Sequence, residues 1–150
     1  MEDQDKVIYL PWEQEESIPV LINRTSAAIR RDIEYVLRPY GVTSQQSKTL
    51  HVLKASPGLT NMELERLLHI DKSSVTSLIN GMVKRGWVER REHPQDARMK
   101  TISLTAAGEE MQQITHVKVH EAKHHSKQLL TPEEQGQLLV LLRKILDAYE

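Results

Sequence analysis

A chain of 150 residues, 27% charged and 39% hydrophobic, has room for one packed domain with helices extending from it, and its composition is that of an ordinary soluble protein. The absence of cysteine excludes disulfides, thiolate metal sites and a cysteine redox switch. The formal net charge of −1 conceals a separation: residues 1–16 carry six acids and one lysine, whereas Arg66 to Lys100 carry eight bases against four acids, which suits a polyanionic partner for the middle of the chain.

Residues 1–16 read as an irregular acidic arm that Tyr9 and Trp12 can pin to the body or to a partner subunit. No apolar run is long enough to span a membrane, and the opening MEDQDK is unlike a signal peptide, so the expected location is cytoplasmic. From Ser17 to about Arg38, apolar residues from Ile18 to Tyr40 recur at three- and four-residue spacing, the pattern of an amphipathic helix. Pro19 fits its first turn, and Pro39 with Gly41 ends it.

Thr43 with Gln46 forms a capping box, as does Thr60 with Glu63, and each opens a short helix. Asp71 caps the next. Three short helices with tight joints have the spacing of a helix-turn-helix. The third is the informative one. Val75, Leu78, Ile79, Met82 and Val83 make a single apolar stripe. The opposite face carries Ser73, Ser77, Asn80 and Lys84, flanked by Lys72, Ser74 and Thr76. Serine and threonine are mediocre helix formers, so their concentration here needs a reason. Short hydroxyls allow a helix to sit deep in a major groove and bond base edges or phosphates. Ser73 and Ser74, beside the free N–H groups of the first turn, suit a phosphate oxygen.

Gly86 ends that helix. Trp87 to Arg91 reads as a strand and Lys100 to Leu104 as its return, with Val88, Ile102 and Leu104 facing inward. Between them a polar loop carries Asp96 and Arg98, and the strands carry Arg90, Arg91 and Lys100. A basic loop beside a reading helix can enter the adjacent minor groove, where a narrow groove attracts arginine. Asp96 would repel DNA if left unpaired, so it is expected to hold a neighbouring arginine in place.

The run VKRGWVERREHPQDARMKTISLTAAG resembles the wing of MarR-type bacterial regulators. Gly86-Trp87-Val88, the D-x-R tip Asp96-Ala97-Arg98, and Leu104-Thr105-Ala106-Ala107-Gly108 match its pattern, and the order of helices extends the likeness over about residues 18–149. The resemblance implies a mainly α fold with a small β-wing: a winged helix-turn-helix over 43–105, with dimerisation helices at 17–40 and 106–150. It implies a homodimer on a pseudo-palindromic operator, usually a repressor, released by a small ligand, metal or oxidant. Arg98 would be the minor-groove arginine, Asp96 its organiser, and Ser73, Ser74, Thr76, Ser77 and Asn80 the major-groove face. The family often places an arginine near the position of Ser77, and this chain has none there. The lack of cysteine excludes the thiol-oxidation branch.

The C-terminal part fits a dimer. Thr105 to about Lys127 is a long helix. Thr131 with Glu134 forms a third capping box, followed by a helix with too many apolar residues for one face of a lone surface helix. A small aromatic or amphipathic effector lodged between the dimer helices and the reading head would meet Tyr35, Tyr40, His51 and Met111. His116, His120 and His124 stand at successive i+4 steps beside Glu121, which makes a zinc-responsive regulator the alternative, although no cofactor is required. A winged helix used only for protein contacts is a further alternative. No H-E-x-x-H, G-x-S-x-G or glycine-rich phosphate loop is present, so no enzyme is expected.

Overall fold

The computed structural model describes residues 16–150, apart from the side chain of Ser126; Tyr9, Trp12 and the rest of the acidic arm up to residue 15 lie outside that span. Six helices and one hairpin follow in the order α1 (Ile18–Leu37), α2 (Ser44–Ala55), α3 (Asn61–Leu68), α4 (Lys72–Lys84), β1 (Val88–Glu92), β2 (Lys100–Leu104), α5 (Ala106–Gln128) and α6 (Pro132–Asp147). The expected architecture, mainly helical with a small β-wing, is the observed one.

Local chemistry sets the helix starts. All three capping boxes form: Gln46 N–H donates to Thr43 Oγ1 at 3.1 Å and Thr43 N–H to Gln46 Oε1 at 3.0 Å, with the same reciprocal pairs at Thr60/Glu63 and Thr131/Glu134. Each pair satisfies two backbone donors that a helix end otherwise leaves open. α1 begins with proline in its first turn and passes through a single 3-10 turn, Arg38–Tyr40, into Gly41 at φ 63°, the left-handed conformation that glycine adopts without penalty.

The core lies between α2, α3, α4 and the hairpin. Leu50, Leu53, Leu64, Leu68, Val75, Ile79, Met82, Val88 and Ile102 are buried together, with Leu37 contributed from the end of α1. The α4 stripe supplies Val75, Ile79 and Met82 to it, with Leu78 and Val83 at its margin. Val88 pairs with Leu104 and Glu92 with Lys100 in an antiparallel register. The first strand starts one residue later than the alternation predicts. Trp87 instead completes the turn by which left-handed Gly86 (φ 72°) closes α4, its N–H donating to Met82 O at 3.0 Å while its carbonyl accepts from Thr105 N–H at 3.0 Å. A bridge with no counterpart in the sequence pattern ties Leu59, just before α3, to Ile102, with Ile102 N–H donating to Leu59 O at 2.8 Å.

Gly108 shows why the L-T-x-x-G run ends in glycine. A Cβ there would stand 1.9 Å from the Trp87 carbonyl oxygen, a separation no packing tolerates. Thr105 donates its hydroxyl to Gly86 O and accepts from Gly108 N–H at 3.1 Å, so the start of α5 is fastened to the root of the wing. α6 behaves differently: it buries none of its residues, and Leu139 is 69% and Leu141 58% exposed. Ile18, Leu21 and Ile22 of α1 are exposed as well. No helix of the described residues is long and apolar enough to cross a membrane.

Candidate nucleic-acid interface

One face of the protein combines the polar side of α4 with the wing. Lys72, Ser73, Ser74, Ser77, Asn80 and Lys84 are placed along it, and Thr76 is half-buried. The helix is positioned by its buried stripe, so its opposite side is turned outward by necessity.

The first turn is organised by Asp71. Its carboxylate accepts from Ser74 N–H at 2.8 Å and from the Ser73 and Ser74 hydroxyls at 2.6 and 3.0 Å. The Ser73 hydroxyl, with the Ser74 amide and hydroxyl behind it, holds the Asp71 carboxyl down at about 2, because every donor favours the ionised form. This changes the expectation for Ser73 and Ser74. The anion at the positive end of α4 is the protein's own carboxylate, which stands where a phosphate oxygen was expected. Further along, Thr76 Oγ1 donates to Lys72 O at 3.0 Å, and Arg90 of the wing donates to Asn80 Oδ1. The contact of Arg90 with Asn80 couples strand to helix.

At the wing tip, Asp96 and Arg98 come together as expected. Arg98 N–H donates to Asp96 Oδ1 at 3.0 Å, and Arg98 Nε lies 3.2 Å from the same oxygen. The Arg98 side chain is nonetheless 92% exposed, so the carboxylate holds its backbone N–H and the Nε edge of its guanidinium while the rest of the guanidinium is open to solvent. The turn is closed by Met99 N–H donating to Asp96 O at 3.0 Å and His93 N–H to Met99 O at 3.1 Å. Arg91 pairs with Glu89 on the strand, and Lys100 lies 3.7 Å from Glu92. Lys72 and Lys84 have no ion-pair partner among the described residues.

Arg85 has a role that the sequence pattern does not announce. Its guanidinium stacks 3.9 Å from the Trp87 ring centre and donates to Gly41 O, tying the end of α4 to the turn before α2. The adjacent Trp87 was the available signal, since arginine favours indole faces, but the Gly41 contact spans 44 positions and has no local signature.

The four residues expected around an effector are not brought together. His51 lines a cavity of about 380 Å³ among α1, α2 and α5, with Lys48, Gln112, His116, His120 and Lys123. Tyr35 and Tyr40 line a separate open groove of about 520 Å³ at the end of α1. Met111 packs against the core and reaches neither. Lys48 sits one turn from His51 on α2, a pairing that spacing alone could have suggested; its meeting with α5 could not.

The histidines form a stack. His51 and His116 lie 5.3 Å apart with rings 1° from parallel, and His116–His120 and His120–His124 follow at 6.4 and 6.3 Å. Rings that face one another aim their in-plane nitrogens along parallel directions, whereas a shared metal needs them convergent. Glu121 pairs with Lys118 at 3.5 Å. Among the described residues no group of three His, Asp or Glu could hold a metal ion, so the geometry does not favour zinc.

The family model described as "MarR family" matches residues 40–99. The chain is 31% identical to the multiple antibiotic resistance protein MarR of Escherichia coli K12 over 134 residues, which is 87% of this chain and 93% of that protein. It is 26% identical to the HTH-type transcriptional repressor Rv2887 of Mycobacterium tuberculosis, over 83% of this chain and 90% of the relative. Among solved structures, a cysteine-to-serine mutant of E. coli MarR complexed with operator DNA superposes with a TM-score of 0.83 at 27% identity, covering 92% of this chain and 99% of that one. The Staphylococcus aureus MepR–DNA complex shares the fold, with a TM-score of 0.83 at 24% identity over 89% of this chain and 99% of that one.

Proposed function

The chain belongs to the MarR family of winged helix-turn-helix transcriptional regulators, and from that premise we propose that it is a cytoplasmic homodimeric repressor that binds a pseudo-palindromic operator and is released by a small effector. Residues 43–105 form the DNA-binding head, and 17–40 with 106–150 form the dimerisation helices. α4 enters the major groove with Ser77, Asn80 and their neighbours, Lys72 and Lys84 meet flanking phosphates, and Arg98 enters the minor groove beside it. Arg90, Arg91 and Lys100 add positive charge along the wing. No cofactor is needed for this.

The observation that carries the reading is the wing tip. An arginine held at its backbone N–H and Nε by Asp96, with the rest of its guanidinium open, is suited to a narrow groove, where negative potential is concentrated. Arg98→Ala is expected to weaken binding to an operator duplex by about 1–3 kcal/mol and to reduce the slope of log affinity against log salt by about one. Fluorescence anisotropy over a salt series reads both. An unchanged affinity and slope would leave the wing without a DNA contact and favour a protein-interaction module.

The effector site of this reading is the cavity among α1, α2 and α5. Lys48, Lys123 and three imidazoles line it together with the apolar Ile33, Val52 and Val119, and no carboxylate does so among the described residues. Such walls suit an organic anion with an apolar body. The site joins a helix of the head to helices of the dimerisation part, so an occupant there can shift one against the other.

A further inference from the structure

A hydroxyl has a single proton to donate. On the first turn of α4 both serine protons are committed: Ser73 Oγ donates to Asp71 Oδ1 at 2.6 Å and Ser74 Oγ to Asp71 Oδ2 at 3.0 Å. The acceptor is a carboxylate, which cannot return a proton. Thr76 commits its proton to Lys72 O at 3.0 Å. What these hydroxyls present outward is therefore lone pairs. Asn80 is set the opposite way. Its Oδ1 accepts from Arg90, which leaves the Nδ2 hydrogens as its outward function. Ser77, between them, has no hydrogen-bond partner among the described residues and can turn either way.

Taking the DNA-binding reading as its basis, we infer that α4 reads the major groove with a fixed polarity. Ser73 and Ser74 accept hydrogen bonds at its leading turn and select the exocyclic amine of adenine or cytosine, while Asn80 donates and selects an acceptor edge, guanine O6/N7 or thymine O4. Asp71 is the positioning residue for this specificity. It touches no base in this scheme and acts by orienting two hydroxyls. The same network removes Ser73 and Ser74 from phosphate contacts, since a phosphate oxygen offers only acceptors to groups that have no proton left to give.

Selection of operator sites from a random duplex library tests this, with the full-length wild type, Asp71→Asn and Ser74→Ala. Asparagine is as good a helix N-cap as aspartate, so Asp71→Asn keeps α4 capped through the oxygen that accepts from Ser74 N–H, while its amide takes the place of Oδ2, donates to Ser74 Oγ and frees that serine's proton to point outward. The wild type is expected to enrich adenine or cytosine over guanine or thymine at one position on the same strand of each half-site. A base analogue lacking the exocyclic amine at that position should weaken wild-type binding about three- to tenfold and leave Asp71→Asn unaffected. Asp71→Asn should also accept guanine or thymine there. Ser74→Ala, which alters only an exposed side chain, should lose the preference even if Asp71→Asn fails to fold. A clear operator with the same base preference in all three proteins would overturn the inference and leave the DNA-binding reading intact. Enrichment of nothing by the wild type would remove both.

Discussion

At the scale of single residues, Asp71 does two jobs through one carboxylate. It caps α4 by accepting from Ser74 N–H, and it holds the two serine hydroxyls. The cap was legible in the sequence because it depends on a three-residue spacing. That the carboxylate would also take the serine protons was not, because spacing does not say which way a hydroxyl turns. The network also makes stability depend on pH in a defined direction. The Ser73 hydroxyl chiefly, with Ser74, lowers the Asp71 carboxyl from 3.8 to about 2. The backbone N–H of Thr60, then its hydroxyl, lowers that of Glu63 from 4.5. A group whose folded value is depressed stabilises the fold above its unfolded value, and that contribution is lost as pH falls through the folded one. For Asp71 the window runs from 3.8 down to about 2. Urea midpoints of wild type and Asp71→Ala should therefore be separated by a constant gap above about pH 5 that narrows steadily toward about pH 2. A gap that stays constant across that window would mean the carboxylate's charge contributes nothing to the fold.

At the scale of elements, the parts that sequence disclosed best are those made by neighbours in the chain: three capping boxes, the stripe of α4, the Asp96–Arg98 tip and the two strands of the hairpin, although Thr101 is buried beside Ile102 where strict alternation would expose it. The parts it hid are made by distant segments. The Leu59–Ile102 bridge attaches the wing to the residues before α3 through backbone bonds that have no side-chain pattern. Arg85 reaches Gly41 across the head. The cavity among α1, α2 and α5 gathers Lys48 and His51 from α2 with His116, His120 and Lys123 from α5, and only tertiary packing could separate that set from Tyr35, Tyr40 and Met111. α2 and α5 are also linked by Lys54 and Glu109 at 3.3 Å. Benzoate, a small organic anion, is expected to weaken operator binding when added at millimolar concentration, and benzyl alcohol, its uncharged counterpart, to do so much less. Lys48→Gln should reduce the benzoate effect about fivefold or more, in line with the loss of a charge-assisted hydrogen bond. Equal effects of the two compounds, or an unaltered benzoate effect in Lys48→Gln, would remove the charged wall from effector recognition.

At the scale of the whole molecule, the exposed apolar residues of α1 and α6 call for a partner, and in the proposed dimer a second copy of the chain covers them and places two α4 helices on one duplex. A palindromic site read by two heads requires that geometry. Leu139 is exposed within one chain, so Leu139→Glu should leave the protomer folded and weaken self-association about 100-fold, the combined effect of losing one buried leucine and introducing a charge. Sedimentation velocity at micromolar concentration reads the change, and an unaltered dimer would move the interface away from α6. The helices on which this depends were visible as apolar excess; their relation to a second chain was not, since one sequence carries no register for its partner.

The most direct measurement of the central claim is the affinity of the full-length protein for the intergenic DNA upstream of its own gene, against an unrelated duplex of equal length, by fluorescence anisotropy at near-physiological salt. A regulator of this kind should prefer its operator by at least about 1,000-fold, with two chains bound per site. Equal affinity for both duplexes, in a folded dimer, would contradict autoregulation through that DNA; equal affinity for every duplex recovered from a genome-wide selection would contradict sequence-specific regulation altogether.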